Sequence, residues 1–560
     1  MTQVTKAAAA KAPVTPPTPI GGRRRTVALV AILLGLLLDL LDIVIVNVAL
    51  PTIQEEIGAT AAHMQWMVGG YTLAFATMLV TGGRLGDIYG RKKIFMIGMT
   101  GFALASLAAG LAFAPEQLII ARFVQGGMGA LMVPQVLAIL QVMYPPNDRG
   151  KAFSALSVIF AVGTVGGPIV GALLTTSNIA GLTWRTIFLV NLPIAVACLF
   201  ITARLVPESK ADNAKSLDIK AAILVGLGML LLVFPLIQGR ELGWPTWTFI
   251  SLGAAVLAFA GLIISEKRRT ESPLIPLSLF SHRSFRGGLA VSLFFMAGVM
   301  PFFLINTLYL QIGQGYSVLA AGLTGVVWGF AVPLFTFVSA RFITPRIGRL
   351  GLQIGLVMLI AGMALLIGAI RLNDDINTLV LAPGLIIGGA GMGMTFAPLL
   401  TYTLNDVPSN DAGSASGVFN TIQQVGSVIG IALSGMVFFL VLNAQATDVS
   451  GARDAELRAS LAQQGVSGTT ADTVAGAIHS CFAERMNVAN PAADLPQCAA
   501  VTATLDEKTA AAVKTVQAQW QHGATHDAFR FTTERALLFQ IGMFAIAILI
   551  SFTLPRKVGA

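Results

Sequence analysis

Charge is scarce in this chain. Only 11% of its 560 residues are Asp, Glu, Lys or Arg, against about 25% in soluble globular proteins. Together with a mean hydropathy of +0.77, that excludes an ordinary soluble domain. Cysteine is scarcer still. Three residues are too few for a disulfide scaffold or a clustered thiolate metal site. None of the five histidines falls in the middle of an apolar run: His63 is at a run's mouth, His282 in a loop, and His479, His522 and His526 in one polar segment. A histidine proton relay is therefore disfavoured. No metal-ligand spacing, P-loop or nucleophile elbow is present, and no strand precedes Gly82-Gly83 or Gly126-Gly127, as a phosphate loop requires. No metal, cofactor, nucleotide hydrolysis or enzyme activity is expected.

What the chain has instead is long apolar runs. Fourteen are readable, at about 27–50, 63–85, 94–114, 117–142, 150–175, 184–206, 217–238, 246–265, 286–311, 317–342, 350–370, 377–403, 413–442 and 531–554. Each approaches the roughly 20 residues that a bilayer-spanning helix needs. The first is too long for the apolar core of a signal peptide. The expected class is an all-α integral membrane protein. The net charge of +9 does not mark a nucleic-acid partner, because it is spread in alternate loops. Arg23–Arg25, Arg91–Lys93, Arg149 with Lys151, Lys210 with Lys215, Lys267–Arg269, Arg346 with Arg349, and Arg556–Lys557 alternate with loops nearly free of Lys and Arg. This is the positive-inside pattern, and it places both termini in the cytoplasm.

The same alternation places 443–530 outside. Cys481 and Cys498 lie there, in a compartment that permits a disulfide, and one is expected between them. Cys198 lies in an apolar run and reads as packing. Ala452–Gln464 and Glu507–Gln521 have helical composition, so this segment is either a small cap or largely disordered. Residues 1–25 read as a cytoplasmic disordered tail rich in Ala, Pro and Thr.

One run carries two acids. Asp39 and Asp42 sit at i, i+3 on one helix face. Each costs about 2.5–3.5 kcal/mol at a membrane centre, tolerable where that face meets a polar cavity. Asp42 is the preferred proton carrier and is free to alternate between a proton and a cationic substrate. Asp39, nearly one turn toward the cytoplasm, is a second carrier or an accessory acid. Arg122 is a cation in another apolar run and needs a partner.

An internal repeat relates the two halves. Gly127-Met128-Gly129 with Pro134 parallels Gly391-Met392-Gly393 with Pro398. Asn147-Asp148-Arg149-Gly150 parallels Asn410-Asp411-Ala412-Gly413, and Val162-Gly163-Thr164-Val165 parallels Val425-Gly426-Ser427-Val428. An even number of helices separates the copies, so the repeat is parallel, about an axis along the membrane normal. The expected organisation is a six-helix bundle at 26–206, a linker with two inserted helices at 207–285, and a second bundle at 286–442 and 531–555.

The loop Gly83-Arg84-Leu85-Gly86-Asp87-Ile88-Tyr89-Gly90-Arg91-Lys92-Lys93 joins the second and third runs. Its glycines permit a tight turn. Asp87 and Arg91 are suited to charge-assisted bonds between helix ends, a latch made in one state and broken in another. Its second-half equivalent, Arg341–Arg349, keeps Gly348-Arg349 without the acid.

These motifs resemble the major facilitator superfamily, and specifically its fourteen-helix drug:proton antiporter branch of the EmrB/QacA type. Leu41-Asp42-Ile43-Val44-Ile45-Val46-Asn47-Val48-Ala49-Leu50-Pro51 is similar to that branch's first-helix signature. Gln65-Trp66 with Tyr71, Arg122-Phe123-Val124-Gln125-Gly126 and Trp184–Pro193 match further elements. Gly163, Gly167-Pro168 and Gly171 resemble the antiporter motif, with Ala172 replacing a second Gly. The resemblance implies that Arg122 assists proton transfer, that the fifth helix seals the cavity against leak, and that a proton gradient supplies the energy. It covers 27–442 and 531–554 and is silent on the outer segment.

Polar and aromatic groups in apolar runs are candidates for a substrate cavity: Tyr71, Gln125, Asn306, Tyr309, Trp328, Tyr402, Asn420, Gln423 and Gln424. The expected function is proton-coupled export of amphipathic drugs, antibiotics or dyes across a bacterial plasma membrane, by alternating access. The expected partners are such a molecule, protons and the lipid bilayer, with a monomer as the default state. The alternatives are export of a dedicated metabolite or lipid, and a transporter-like sensor or scaffold that does not transport.

Overall fold

A computed structural model of the chain describes residues 22–144, 149–210, 218–268, 277–373, 375–407, 412–487, 498, 501–502 and 505–556. The tail at 1–21 and the paired motifs at Asn147-Asp148 and Asn410-Asp411 lie outside the described residues. Every regular element described is helical.

The N-terminal bundle holds α1 (Gly22–Ile57), α2 (Ala61–Tyr89), α3 (Arg91–Gly110), α4 (Pro115–Met143), α5 (Arg149–Thr176) and α6 (Asn191–Leu205). A hairpin follows, α7 (Ile219–Glu241) and α8 (Thr246–Arg268). The C-terminal bundle holds α9 (Arg283–Leu308), α10 (Val318–Val338), α11 (Arg349–Leu372), α12 (Thr378–Thr403), α13 (Ala412–Ala452) and, after α14 (Asp454–Gln463) and α15 (Gly468–Asn487), α16 (Glu507–Ser551). Among the described residues, 12 helices are long and apolar enough to cross a membrane. With α2 and α5 packed among them, the bundle accommodates the expected fourteen. Local chemistry sets several helix starts. Thr60 and His63 cap α2 reciprocally, and Ser317, Asn377 and Asp506 cap α10, α12 and α16, satisfying amides that no earlier turn reaches.

The packing repeats. In the first bundle α1 packs on α5 and α6, α2 on α4, and α3 on α4 and α6; in the second, α9 packs on α13 and α16, α10 on α12, and α11 on α12 and α16. The correspondence reaches single bonds. The amide of Arg91 donates to the Ser209 carbonyl at 2.9 Å, and that of Arg349 to the Arg556 carbonyl at 3.0 Å. In both places the chain after the bundle's last helix caps its third. Gly126 packs on the Tyr71 carbonyl; Gly389 packs on that of Trp328. Neither glycine has room for a Cβ, so Tyr71 and Trp328 are structural counterparts.

The bundles meet along α5 with α10 and α2 with α13. Their contacts gather toward the face opposite the basic loops. Gln311 donates from Nε2 to the Val48 carbonyl at 2.8 Å. A Cβ on Gly322 would lie 2.7 Å from the Ala172 Cβ, and one on Gly435 2.6 Å from the Gln65 side chain. Ile45–Leu50 is buried on every side. The hairpin packs on the α2–α13 seam, where Met229, Val233 and Ile237 pack with Trp66, Leu73, Val428 and Ala432.

Of the two readings of 443–530, a small cap or a largely disordered segment, the described residues form the cap. α13 runs on to Ala452 and α16 begins at Glu507. These outer turns persist because they bury Ala446, Val449, Val513, Val516 and Trp520 against Leu457, Leu461, Ile478 and Phe482 of α14 and α15. Cys481 and Cys498 are disulfide-bonded across 17 residues of sequence, and Cys198 is free and buried.

Candidate functional site

The polar heart of the first bundle is a closed network around Asp42, in which Asp39 and Asp42 of α1 are each 2% exposed. Three donors converge on the Asp42 carboxylate. Arg122 of α4 forms an ion pair with it. Gln125, one turn on, donates to it at 2.9 Å, and Asn191, the first residue of α6, does so at 3.3 Å. Arg122 also donates to Gln125 Oε1 at 2.9 Å and to the Met67 carbonyl at 3.1 Å. Ser106 of α3 accepts from Gln125 at 2.8 Å. Four helices thus bring one anion and one cation together among several hydrogen-bonding partners, which is the condition for keeping a buried pair.

Asp39 belongs to the same assembly through Tyr71. The phenol of Tyr71 donates to Asp39 Oδ1 at 2.6 Å, and the Arg122 guanidinium lies 4.2 Å from the centre of the same ring. Gly129 creates the space: a Cβ there would stand 2.5 Å from Asp39 Oδ1. The motif Arg122–Gly126 therefore has a division of labour. Arg122 and Gln125 hold Asp42, and Gly126 lets α4 touch α2 at Tyr71.

The fifth-helix motif packs directly behind the acids. A Cβ on Gly163 would lie 3.0 Å from Leu40, and one on Gly167 2.9 Å from Val44; Gly171 faces the Ile45 backbone. The Pro168 carbonyl lies on the Gly322 side of α10. One stripe of small residues therefore touches the acid-bearing helix and the other bundle.

At the basic face, Asp87 pairs with Arg91 at 2.9 Å, within its own bundle. The latch expected between helix ends is thus made locally here. Gly90 sits at φ 116°, which favours glycine, and a Cβ would meet the Glu208 carboxylate at 2.6 Å. That carboxylate accepts from the amides of Lys92 and Lys93, each at 3.1 Å, capping α3. Gly83 packs near Pro134.

The cavity candidates separate. Tyr71 and Gln125 belong to the acid network. Asn306 and Tyr309 line a small pocket in the second bundle, and Trp328 stacks 4.6 Å from the Phe302 ring that also lines it. Tyr402 is buried. On α13, Gln423 is buried, Gln424 half-buried and Asn420 exposed. Asn191, Ser106 and Glu208 were not anticipated as site residues. Asn191 was visible as an amide within Trp184–Pro193; Glu208 gave no signal, being 116 residues from the amide it caps.

The sequence profile of the Major Facilitator Superfamily matches residues 32–431. A protein of Streptomyces coelicolor described as a probable actinorhodin transporter is 37% identical over 95% of this chain and 92% of its own length. The puromycin resistance protein of Streptomyces alboniger is 34% identical over 74% of the chain and 82% of its own. The tetracenomycin C resistance and export protein of Streptomyces glaucescens is 31% identical over 73% and 75%. Among solved structures, an inward-facing bacterial homologue of the lysosomal transporter Spinster aligns over 95% of this chain and 98% of its own, with a TM-score of 0.60 at 17% identity.

Proposed function

The chain belongs to the Major Facilitator Superfamily, and on that premise we propose that it is a proton-coupled exporter of amphipathic antibiotics or related compounds. The family moves small substrates across membranes, and this chain is a multi-pass transporter rather than an enzyme. The names of its relatives support an export or resistance role. The observation that carries proton coupling is the buried Asp42–Arg122 pair with Asp39 held beside it by Tyr71. A carboxylate in this position exchanges a proton only if its partner moves, so protonation and helix rearrangement are tied.

The proposed cycle follows. Substrate enters from the cytoplasmic side of a bacterial plasma membrane while the outer face is sealed. The bundles rock, the outer seam opens, Asp42 takes a proton and substrate leaves. Return delivers the proton inside. One charge moving through 100 mV supplies about 2.3 kcal/mol, and one pH unit adds about 1.4 kcal/mol. Together these sustain a gradient of several hundredfold for a neutral substrate (roughly, at 1.4 kcal/mol per tenfold).

Ethidium efflux from cells tests this, comparing wild type with Asp42→Asn at equal expression, with and without an uncoupler. The expected result is efflux in wild type alone, abolished by uncoupler. Efflux by Asp42→Asn at the wild-type rate refutes the assignment of the carrier. Absence of efflux in wild type moves the reading to a dedicated metabolite or lipid.

A further inference from the structure

The start of α3 carries a groove that the transport cycle does not use. Lys92, Lys93 and Glu208 roof it, and Met96, Ile97 and Thr100 form its floor. Its volume of about 510 Å³ falls within the range of about 300–1,000 Å³ usual for ligand pockets. The floor belongs to the face that α3 turns to the bilayer. Lys93, Ile97, Thr100 and Leu104 recur at helical spacing and all are exposed, Leu104 to 62%. The neighbouring α6 continues this surface with Val196 and Phe200, and Arg204 stands 3.9 Å from the centre of the Phe200 ring. Lys92 ties the two helices together, donating from Nζ to the Ala203 carbonyl at 2.7 Å. The roof is part of the basic loop Arg91–Lys93, which the positive-inside pattern puts at the cytoplasmic surface. The groove therefore runs from headgroup level down an apolar wall. The other half of the repeat lacks it. After the arginine that both halves share, α11 continues with Leu350 and Gly351, and Arg349 is held by the Phe552 and Leu554 carbonyls.

We propose that this groove binds an anionic glycerophospholipid of the cytoplasmic leaflet, its phosphate at Lys92 and Lys93 and an acyl chain along Ile97 and Leu104. The inference is independent of the export reading. The charge matches. Glu208 is engaged by the amides of Lys92, Lys93 and Ser209, and set against the two lysines it leaves one positive charge, the complement of one phosphodiester. The Lys93 ammonium bonds to no described residue, and Lys92 uses one of its three donors on Ala203. The apolar floor decides between a lipid and a free phosphate. Met96 and Ile97 offer a hydrated anion nothing, whereas an acyl chain buries its length on them. Basic pockets between membrane helices on the cytoplasmic side suit such headgroups for both reasons.

The test is native mass spectrometry of the purified full chain in a neutral detergent, titrated with dioleoylphosphatidylglycerol or dioleoylphosphatidylcholine and read for the first lipid bound. Wild type should prefer phosphatidylglycerol. The pair Lys92→Gln with Lys93→Gln should weaken phosphatidylglycerol binding by about 25-fold, at roughly fivefold for each lysine beside an anionic headgroup, and leave phosphatidylcholine unaffected. Lys92→Arg with Lys93→Arg should restore it. The pair Lys267→Gln with Arg268→Gln removes the same charge from the end of α8 on the same face and should change binding by less than about twofold on this reasoning. Equal weakening by the two glutamine pairs overturns the site, because the whole basic face would then be the attraction. Wild type without a preference for phosphatidylglycerol overturns it too. Displacement of the lipid by excess inorganic phosphate would show a site for a free anion and refute the lipid.

Discussion

Replacing Asp42 by Asn should destabilise the protein as well as stop transport, and the two effects can be separated by a second substitution. Arg122 is 1% exposed and Asp42 2%. Asn at 42 keeps the volume but removes the anion. The guanidinium is then left with the Met67 carbonyl at 3.1 Å and Gln125 Oε1 at 2.9 Å, two neutral acceptors for a full buried charge. Breaking a buried pair from one side costs about 3–5 kcal/mol. Arg122→Gln alone strands the Asp42 carboxylate between Gln125 and Asn191 at similar cost. The double variant has no stranded charge. Its loss should therefore fall short of the sum of the singles by about 2–3 kcal/mol, the upper range for residues in one network. The assay is denaturant unfolding in a single detergent for the three variants and wild type, with ethidium efflux on the same set. Stability should recover in the double variant and efflux should not. Additive losses would refute the reasoning, because they would mean that the two side chains do not share an ion pair in the folded protein.

Two further outcomes follow from other parts of the fold. Gly322→Val places a side chain where 2.7 Å separates a bare Cβ from Ala172; it should hold the outer seam apart, raising severalfold the labelling of Gln311→Cys by an impermeant maleimide, and unchanged labelling would contradict the seam. His479 gives the outer cap a pH dependence: burial holds its imidazole below the ordinary range, with Asp454 raising it and Arg458 lowering it again. The folded cap then binds fewer protons than the unfolded one, so this stability is complete above the ordinary value of about 6.5 and is lost as pH falls below it. The protection of amides across 454–487, corrected for the intrinsic exchange rate at each pH, should fall on moving from neutral to acidic pH in wild type and less so in His479→Phe; an equal fall in both would remove His479 from the account.

Much of this was legible because apolar runs make every polar residue conspicuous. Asp42, Arg122 and Gln125 stand out in sequence for that reason, and the fold brings all three within bonding distance. The repeat was legible because short glycine motifs recur at a nearly constant offset, although the structure pairs Gly126 with Gly389 through their carbonyl contacts, one residue out of the register read from Gly127 and Gly391. What was not legible depends on pairing at long range. Tyr71 looked like a cavity group, yet its hydroxyl serves Asp39, 32 residues away. Ser106 is one of many small polar residues in helices, and nothing local marks it as the acceptor for Gln125. The outer segment was legible in part: its polarity removes it from the membrane, and the helical composition of 452–464 and 507–521 allowed the cap that α14, α15 and the outer turns of α13 and α16 form, but nothing local said how those helices pack.

The acids and the outer seal share one helix, and this ties chemistry to motion. Asp42 and Val48 are about 9 Å apart along the axis of α1, at 1.5 Å per residue. Val48 accepts the bond from Gln311 of the opposite bundle, while Asp42 is held by α4 and α6 of its own. Opening the outer face requires breaking the Val48–Gln311 bond and shifting α1 against α10 and the end of α9. A rigid helix cannot make that shift at Val48 and leave Asp42 unmoved beside Arg122. The glycines of α5 sharpen the constraint, since Gly163, Gly167 and Gly171 pack on Leu40, Val44 and Ile45, on either side of Asp42, and Pro168 beside them faces Gly322. In the proposed cycle the seam parts first, the shift of α1 loosens the Asp42–Arg122 pair, and Asp42 then takes its proton. A substitution that weakens either grip on α1 should therefore shift both outward opening and proton uptake.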